Sequence, residues 1–154
     1  MDVITTHIDA EFDSFASMVA AKKLYPRARL VFPGSKEKNL RDFLRDSPHR
    51  FGVQRVKSID LDLIERLIIV DTRRRDRIGV FAGILERKGL KVHIYDHHPP
   101  TPCDVSGEFE AVDAVGATVP VMVDLLRTKK LVISPEEATP FALGLSADTG
   151  PPPL

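Results

Sequence analysis

The chain has 154 residues, of which 43% are hydrophobic, so it is long and apolar enough to build the core of one domain. Lysine plus arginine and aspartate plus glutamate each number 22, which excludes recruitment of nucleic acid or membrane by a global charge. The single cysteine, Cys103, excludes an intramolecular disulfide framework and suits a reducing compartment. Because no apolar run in the sequence is long enough to span a bilayer, these features predict a cytoplasmic protein.

Short apolar runs alternate with helical patterns along the chain, which is the order typical of a parallel sheet. Strands are predicted over residues 3–6, 28–32, 53–56, 67–70, 91–95 and 108–112. The alternation predicts an α/β fold, with a mostly parallel, doubly wound sheet of about five strands and helices on both faces. The alternative is an α+β arrangement with a separate hairpin over residues 105–112.

Serine residues mark three predicted helix starts, because their hydroxyl groups can accept from the free backbone N–H groups of a first turn. Ser14 is predicted to cap the first helix and Ser35 to cap a second one over residues 36–45. Ser134, followed by Pro135 and two acids, predicts the start of the last helix. Further helices are predicted over residues 78–85 and 119–126, and the last one extends to residue 148.

Metal-binding residue types follow three of the predicted strands. The first strand leads into His7, Asp9, Glu11 and Asp13, the strand over 67–70 into Asp71, and the strand over 91–95 into Asp96-His97-His98. The carboxyl ends of parallel strands lie on one edge of the sheet, so these groups are expected to converge. The carboxylates of such a cluster repel one another unless divalent cations lie among them. Mixed oxygen and nitrogen ligands suit manganese, magnesium or zinc. For the first segment alone, a solvated acidic turn is the alternative.

A cluster of arginines follows Asp71 in the sequence: Arg73, Arg74, Arg75 and Arg77. In a structural interpretation they form a solvated first helical turn with Asp76 as their partner. In a functional interpretation they bind phosphate near Asp71, and the first three are the candidate phosphate-binding residues. The sequence leaves both interpretations open.

Four short motifs occur in a fixed order: His7-x-Asp9-x-Glu11-x-Asp13-Ser14, Val70-Asp71-Thr72, Asp96-His97-His98 and Asp148-Thr149-Gly150. The series resembles the motifs of the DHH phosphoesterase superfamily over essentially the whole chain. Within this superfamily, the sequences of these motifs are similar to those of the DHH domain that precedes CBS and tRNA-nucleotidyltransferase or poly(A)-polymerase-like regions in some bacterial proteins. The resemblance implies a DHH domain over residues 1–150. The proline-rich residues 151–154 cannot extend the last helix and are expected to be a tail at a fragment boundary.

The resemblance also implies a site with two manganese ions, for which magnesium is the alternative. The first ion would be bound by His7, Glu11 and Asp71, and the second by Asp13, Asp71, His97 and Asp148. Asp71 would therefore bridge the two ions. Asp9 would support the ligands without binding directly. Glu11 departs from the family, which usually carries aspartate at this position.

Two further residues of the third motif have roles implied by the resemblance. Asp96 would be an orienting carboxylate or an adjacent ligand. His98 would contact the scissile phosphate or its leaving oxygen. Asp96 and His98 are thus the candidate catalytic residues.

The implied activity is hydrolysis of phosphodiesters in short oligonucleotides or cyclic dinucleotides by a water activated between two metals. One alternative is a catalytically weak nucleotide- or RNA-sensing module of a fused nucleotidyltransferase, and another is an inorganic pyrophosphatase. Family enzymes usually carry a second, substrate-binding domain after the fourth motif. Full activity is therefore expected to need a C-terminal domain, and the expected partners are a nucleotide or short oligonucleotide and further domains of the same chain.

Overall fold

The structure is a computed structural model that describes residues 1–47 and 50–149, and of residues 147–149 it describes the backbone alone. Six strands form one sheet: β1 (Asp2–Thr5), β2 (Arg29–Val31), β3 (Val53–Gln54), β4 (Arg66–Val70), β5 (Lys91–Asp96) and β6 (Phe109–Val112). All neighbouring strands pair in parallel, in the order β3-β2-β1-β4-β5-β6. The predicted α/β fold is confirmed. The alternative hairpin is wrong, because β6 pairs in parallel with β5, with Phe109 opposite His93.

Helices cover both faces of the sheet. The described residues form four α-helices: α1 (Phe12–Leu24), α2 (Lys38–Asp46), α3 (Thr118–Thr128) and α4 (Pro135–Thr149). Residues from all four contribute to the hydrophobic cluster on one face. The opposite face is covered by short 3-10 helices at Val56–Ser58, Leu61–Leu63 and Gly79–Ile84, which contribute to a second cluster. None of the helices in the described part of the chain has the length and apolar character needed to cross a bilayer.

The central strands are apolar on both sides because both faces of the sheet are covered. In β1, Val3 packs into one cluster and its neighbour Ile4 into the other. The same alternation separates Leu67 from Ile68 in β4, and all four side chains are buried. Continuous apolar runs, rather than alternating ones, are therefore the pattern that such strands require.

Two of the predicted helix caps are wrong. The N-cap of α1 is Glu11, whose Oε1 accepts a hydrogen bond from the Ser14 backbone N–H at 3.3 Å. The N-cap of α2 is Glu37, which makes no side-chain capping bond. Both serines bond elsewhere: the Ser14 hydroxyl contacts Glu11, and the Ser35 hydroxyl donates to Asp9. The residues after β1 use the two hydroxyl groups that the sequence assigned to helix caps.

The α-helix predicted over residues 78–85 is wrong, since this segment forms the 3-10 helix Gly79–Ile84. Gly79 has a φ of 56°, in the left-handed region that an α-helix does not contain. A Cβ atom at this position would lie 2.8 Å from the carbonyl oxygen of Pro33, so the close approach requires glycine. The predicted helices over 119–126 and from Pro135 are confirmed as α3 and α4.

The strand order changes direction between β1 and β4. From β1 the chain proceeds through β2 to β3, whereas from β4 it proceeds the other way through β5 to β6. In open α/β sheets, the crevice outside the carboxyl ends of the strands at this point is where ligands bind. The segments that follow β1, β4 and β5 are therefore adjacent at this edge.

Candidate metal centre

Asp71 lies at the centre of a group of imidazoles and carboxylates. It follows β4 directly, is 2% exposed and has a φ of 61°. Its Oδ2 lies 3.3 Å from His7 Nε2, and its Oδ1 lies 3.4 Å from His97 Nε2. Each carboxylate oxygen therefore faces a different imidazole, and Asp71 is shared between two groups of potential metal ligands.

The first group consists of His7, Glu11 and Asp71, whose ligand atoms all lie within 4.8 Å of one another. Glu11 Oε2 is 3.4 Å from His7 Nε2, so the longer glutamate side chain does reach the cluster. Nδ1 of His7 lies 2.7 Å from the carbonyl oxygen of Ile8. Because a carbonyl can only accept, Nδ1 carries the proton and Nε2 is the nitrogen available to a cation.

The second group consists of Asp71, His97 and His98, and its ligand atoms also lie within 4.8 Å of one another. Nδ1 of His97 donates to the carbonyl oxygen of Val115 at 2.9 Å, which leaves its Nε2 for a cation. Asp13 Oδ2 lies 4.0 Å from the same Nε2. Asp13 therefore lies at the edge of this group. The structure also includes His98 in the group, whereas the sequence predicted that His98 contacts the substrate phosphate.

Asp13 is buried against the N-terminus of α3. Its two oxygens accept hydrogen bonds from the backbone N–H groups of Thr118 and Val119, each at 2.9 Å. Burial and the neighbouring charge of Asp71 nevertheless raise the pKa of Asp13 to about 8. The two buried carboxylates of Asp13 and Asp71 thus repel each other.

Both imidazoles that face Asp71 bind protons tightly. Burial disfavours the charged form of His7, but its hydrogen bonds with Asp71 and Glu11 outweigh that effect and raise its pKa to about 10. The hydrogen bond with Asp71, opposed by burial, raises the pKa of His97 to about 9. The pKa of Asp71 lies well below its usual range, because bonds with His7 and His97 outweigh its burial. These protons supply the positive charge that a divalent cation would supply, so the residues fit a metal site.

Asp96 forms a pair with His98, which is a member of the second group. Asp96 is fully buried, and its Oδ1 accepts from Nδ1 of His98 at 2.6 Å. Its other oxygen accepts from Nε of Arg73 at 3.1 Å, and Arg73 Nη2 donates to the carbonyl oxygen of His98 at 2.7 Å. The side chain of His98 is 51% exposed. Asp96 therefore has the geometry of the orienting carboxylate, and His98 is free to contact a ligand.

Two cavities flank the cluster, one of about 350 Å³ and one of about 460 Å³. Both are lined by His7, Asp71, Arg77 and His98. The smaller cavity also contains Thr72, Arg73, Arg74 and Thr101, whereas the larger one contains Asp9, Glu11 and Glu37. The smaller cavity is also lined by Asp96 and Asp104, so it presents both charges to a ligand, whereas carboxylates predominate in the larger one.

Among the described residues, neither Asp9 nor the three predicted phosphate-binding arginines belong to the two ligand groups. Asp9 is exposed, has a φ of 58°, and receives a hydrogen bond from the Ser35 hydroxyl. The side chain of Asp148 and the residues after Thr149 lie outside the described part of the structure. The predicted arginines all have carboxylate partners: Arg73 with Asp96, Arg74 with Asp76, and Arg75 with Glu86.

Three residues at the site have contacts that the sequence did not suggest. The Ser14 hydroxyl oxygen lies 2.8 Å from His7 Nε2 and 2.7 Å from Asp71 Oδ2. The Thr118 hydroxyl donates to Asp71 Oδ1 at 2.7 Å. Arg77 Nη2 donates to the carbonyl oxygen of Ile8 at 3.0 Å. The sequence assigned Ser14 to a helix cap and placed Thr118 directly before the helix predicted over 119–126. Arg77 lies in the 3-10 turn Arg75–Arg77, where the structural interpretation of the arginine cluster predicts a helical turn.

Comparison with known proteins defines the class to which this fold and site belong. The model of the DHH family, N-terminal domain, matches residues 3–145, and the chain belongs to this family. It is therefore a domain of the DHH phosphoesterase type, as the resemblance of its four motifs predicted.

Two curated relatives are A-adding tRNA nucleotidyltransferases. The protein of Geobacter sulfurreducens is 41% identical over 151 residues, which are 97% of this chain and 17% of that protein. The protein of Aquifex aeolicus is 31% identical over 142 residues, which are 92% of this chain and 16% of that protein. The chain thus spans about one sixth of the length of the curated relatives it matches.

Two solved structures share the fold at lower identity. An exopolyphosphatase-related protein from Bacteroides fragilis has a TM-score of 0.76 at 18% identity, with 97% of this chain and 46% of that chain covered. A putative family II inorganic pyrophosphatase from Methanococcus jannaschii has a TM-score of 0.72 at 22% identity, with 97% and 49% covered. At these identities the likeness establishes the α/β fold.

Proposed function

We propose that this domain is a manganese-dependent phosphoesterase that hydrolyses phosphodiesters of short oligonucleotides or cyclic dinucleotides. The observation that carries the proposal is the position of Asp71, whose carboxylate belongs to both groups of ligand atoms. A carboxylate shared in this way is what a pair of cations a few ångströms apart requires. Imidazoles among the carboxylates favour manganese over magnesium.

Each ligand side chain has a distinct task in this proposal. His7, Glu11 and Asp71 hold the first cation, and Asp71 with His97 holds the second, with Asp13 and Asp148 completing its ligands. Bound cations would neutralise the charge on the phosphate and lower the pKa of a coordinated water. The Nδ1 bonds of His7 and His97 to backbone carbonyls keep both Nε2 atoms directed toward Asp71, so the ligands need little reorganisation.

His98 is the residue that we assign to the leaving oxygen. Its Nδ1–H is held by Asp96, which fixes the tautomer and leaves Nε2 to exchange a proton with substrate. Arg73 in turn fixes Asp96 by binding its second oxygen. This arrangement supports a role of Asp96 in positioning His98 rather than in binding a cation.

The length of the relatives supports the proposal that the domain works beside further domains. Both curated relatives extend far beyond the region that this chain matches. Closure of a second domain over the exposed His98 would exclude water and position the substrate, and orientation alone can supply about 7–11 kcal/mol of a barrier. We therefore propose that residues 1–150 form a domain whose full activity needs residues beyond 154. The proposal includes a cytoplasmic site of action, which the single cysteine suits.

A second candidate is a module that binds nucleotide or RNA for a fused nucleotidyltransferase. Both curated relatives are A-adding tRNA nucleotidyltransferases, which favours this alternative. The likeness to a pyrophosphatase concerns the fold alone, so it does not favour pyrophosphate as the substrate. The described ligands around Asp71, among them two imidazoles and the carboxylates of Glu11 and Asp13, favour the hydrolase over the sensing module.

The experiment compares four substrates with manganese present and after chelation: a generic phosphodiester reporter, a dinucleotide, a cyclic dinucleotide and pyrophosphate. It uses the chain alone and the chain extended by its downstream residues, each as wild type and as His98→Ala. We expect manganese-dependent cleavage of a dinucleotide that increases on extension and falls about 10²–10⁴-fold with His98→Ala. If the extended chain binds manganese and nucleotide but turns over none of the four substrates, the result would contradict the hydrolase proposal and support the sensing module.

A further inference from the structure

Arg77 differs from the other arginines near Asp71 in what its side chain contacts. Arg73, Arg74 and Arg75 each form an ion pair with a carboxylate at 2.6–3.1 Å. Among the described residues, Arg77 has no carboxylate partner. Its one conventional hydrogen bond goes from Nη2 to the carbonyl oxygen of Ile8 at 3.0 Å. Most of the five N–H donors of this guanidinium are thus not used by the described protein atoms.

The side chain of Arg77 also lies beside a proposed metal ligand. Its Nη2 is 3.2 Å from Nδ1 of His7, which already donates to the carbonyl oxygen of Ile8. Two N–H groups that face each other do not form a hydrogen bond. A cation held by Nε2 of His7 would add a further positive charge close to the guanidinium, and like charges at such distances repel.

An anion in the flanking cavities would remove this repulsion. Arg77 lines both cavities, together with His7, Asp71 and His98. Nitrogen donors in a planar fork match two oxygens of a phosphate group, and such charge-assisted bonds are about twice as strong as neutral ones. The position of Arg77 therefore suits a phosphate that touches the cation of the first group and His98 at the same time.

We propose that Arg77, rather than Arg73, Arg74 or Arg75, binds the non-bridging oxygens of the substrate phosphate. The inference rests on the proposed function, because it assumes a phosphate bound beside cations at Asp71. Its structural rival is that Arg77 only ties the segment after β1 to the turn that contains it. That tie also has a main-chain component, since Ile8 N donates to the Arg77 carbonyl oxygen at 2.8 Å. The main-chain bond remains when the side chain is replaced.

The test measures binding of inorganic phosphate to the manganese-loaded protein by calorimetry, in wild type, Arg77→Met, Arg77→Lys and Arg75→Met. Arg75→Met is the matched control, because Arg75 lies two residues away and pairs with Glu86 at 2.6 Å. We expect Arg77→Met to weaken phosphate binding at least about tenfold, Arg77→Lys to recover part of the loss, and Arg75→Met to stay within about twofold. Manganese affinity should be unchanged or tighter in Arg77→Met, because a nearby positive charge has been removed.

The same measurements separate this inference from the proposed function. If the wild-type protein binds no manganese, the proposed function fails and this inference fails with it. If wild type binds manganese but Arg77→Met binds phosphate as wild type does, or if wild type binds no phosphate, only this inference is overturned. A joint loss of phosphate affinity, manganese affinity and thermal stability in Arg77→Met would support the structural rival and overturn the inference.

Discussion

Asp71 has a backbone conformation that non-glycine residues rarely adopt, with a φ of 61°. A left-handed conformation costs an L-residue about 1–2 kcal/mol, so surrounding contacts must hold it in place. Its backbone N–H donates to the carbonyl oxygen of Tyr95 at 2.8 Å, and its side chain accepts from Thr118. The turn directs the carboxylate between His7 and His97, which an extended continuation of β4 would not do.

Ser14 joins the ligands of the first group to one another. Its hydroxyl oxygen lies 2.7 Å from Glu11 Oε1 and 2.7 Å from Asp71 Oδ2, with no exposure to solvent. The hydroxyl has one proton, so it donates to one carboxylate at a time. Nε2 of His7 lies 2.8 Å from the same hydroxyl oxygen. Ser14 therefore orients three ligands with a single group.

Ser14→Ala should weaken manganese binding, because Glu11 and Asp71 would lose the group that orients them. Loss of such supporting contacts typically costs about 10–100-fold in metal affinity. Ser17→Ala is the matched control on the same helix, since Ser17 Oγ is buried without a hydrogen-bond partner among the described residues. Calorimetric titration should show a weaker first manganese site in Ser14→Ala and unchanged binding in Ser17→Ala. Equal losses in both variants would mean that Ser14 acts only through packing of α1.

At the scale of elements, the strands were predictable and several helix starts were not. A strand buried on both faces needs a continuous apolar run, so residues 67–70 could be assigned from the sequence alone. A helix cap depends on which partner a hydroxyl finds, and Ser14 and Ser35 find partners after β1. Glu11 caps α1 from three residues before Ser14, which is visible only once the loop is folded. The conformation of Gly79, which replaces a predicted α-helix by a 3-10 helix, depends on contact with Pro33.

The start of α4 was predictable because its signals are local. Ser134 and Glu137 form a capping box: Ser134 N donates to Glu137 Oε2 at 2.7 Å, and Glu137 N donates to Ser134 Oγ at 3.4 Å. Lys23 of α1 adds an ion pair to Glu137 at 2.9 Å. Burial favours the neutral acid, but the bonds from Ser134 and Lys23 outweigh it and lower the pKa of Glu137 below 4.5.

Glu137→Gln should lower the free energy of unfolding by about 0.5–1 kcal/mol at pH 7, because the pair with Lys23 is partly screened by solvent. The folded-state pKa of Glu137 is depressed, so its stabilisation is present above pH 4.5 and is lost as the pH falls through the folded value. Urea denaturation at pH 7 and at the lowest pH where wild type stays folded should therefore show a difference that shrinks toward zero. The control is Glu136→Gln, and a difference for Glu137→Gln that grew on acidification would contradict the assignment.

At the scale of the whole molecule, the site is a product of the sheet topology. His7, Asp71 and His97 are separated by 64 and 26 residues in sequence, yet β1, β4 and β5 are neighbours in the sheet. The convergence of their side chains could be predicted, because parallel strands share a carboxyl edge. Three features could not be predicted: the distances within the cluster, the burial of Asp13 against α3, and the lack of a carboxylate partner for Arg77 among the described residues. They depend on how α3 and the arginine turn pack against that edge. Asp148 stays a prediction, because its side chain lies outside the described residues.

The central claim is that Asp71 joins two cation sites in one cluster, and titration of the metal-stripped protein with manganese tests it most directly. The measurement compares wild type with Asp71→Asn and with Asp76→Asn, a matched change at an exposed aspartate paired with Arg74 at 2.6 Å. We expect two manganese ions per chain in wild type and in Asp76→Asn. In Asp71→Asn, both affinities should fall by more than the roughly 10–100-fold that supporting residues contribute. Absence of manganese binding to wild type, or equal affinities in wild type and Asp71→Asn, would contradict the account.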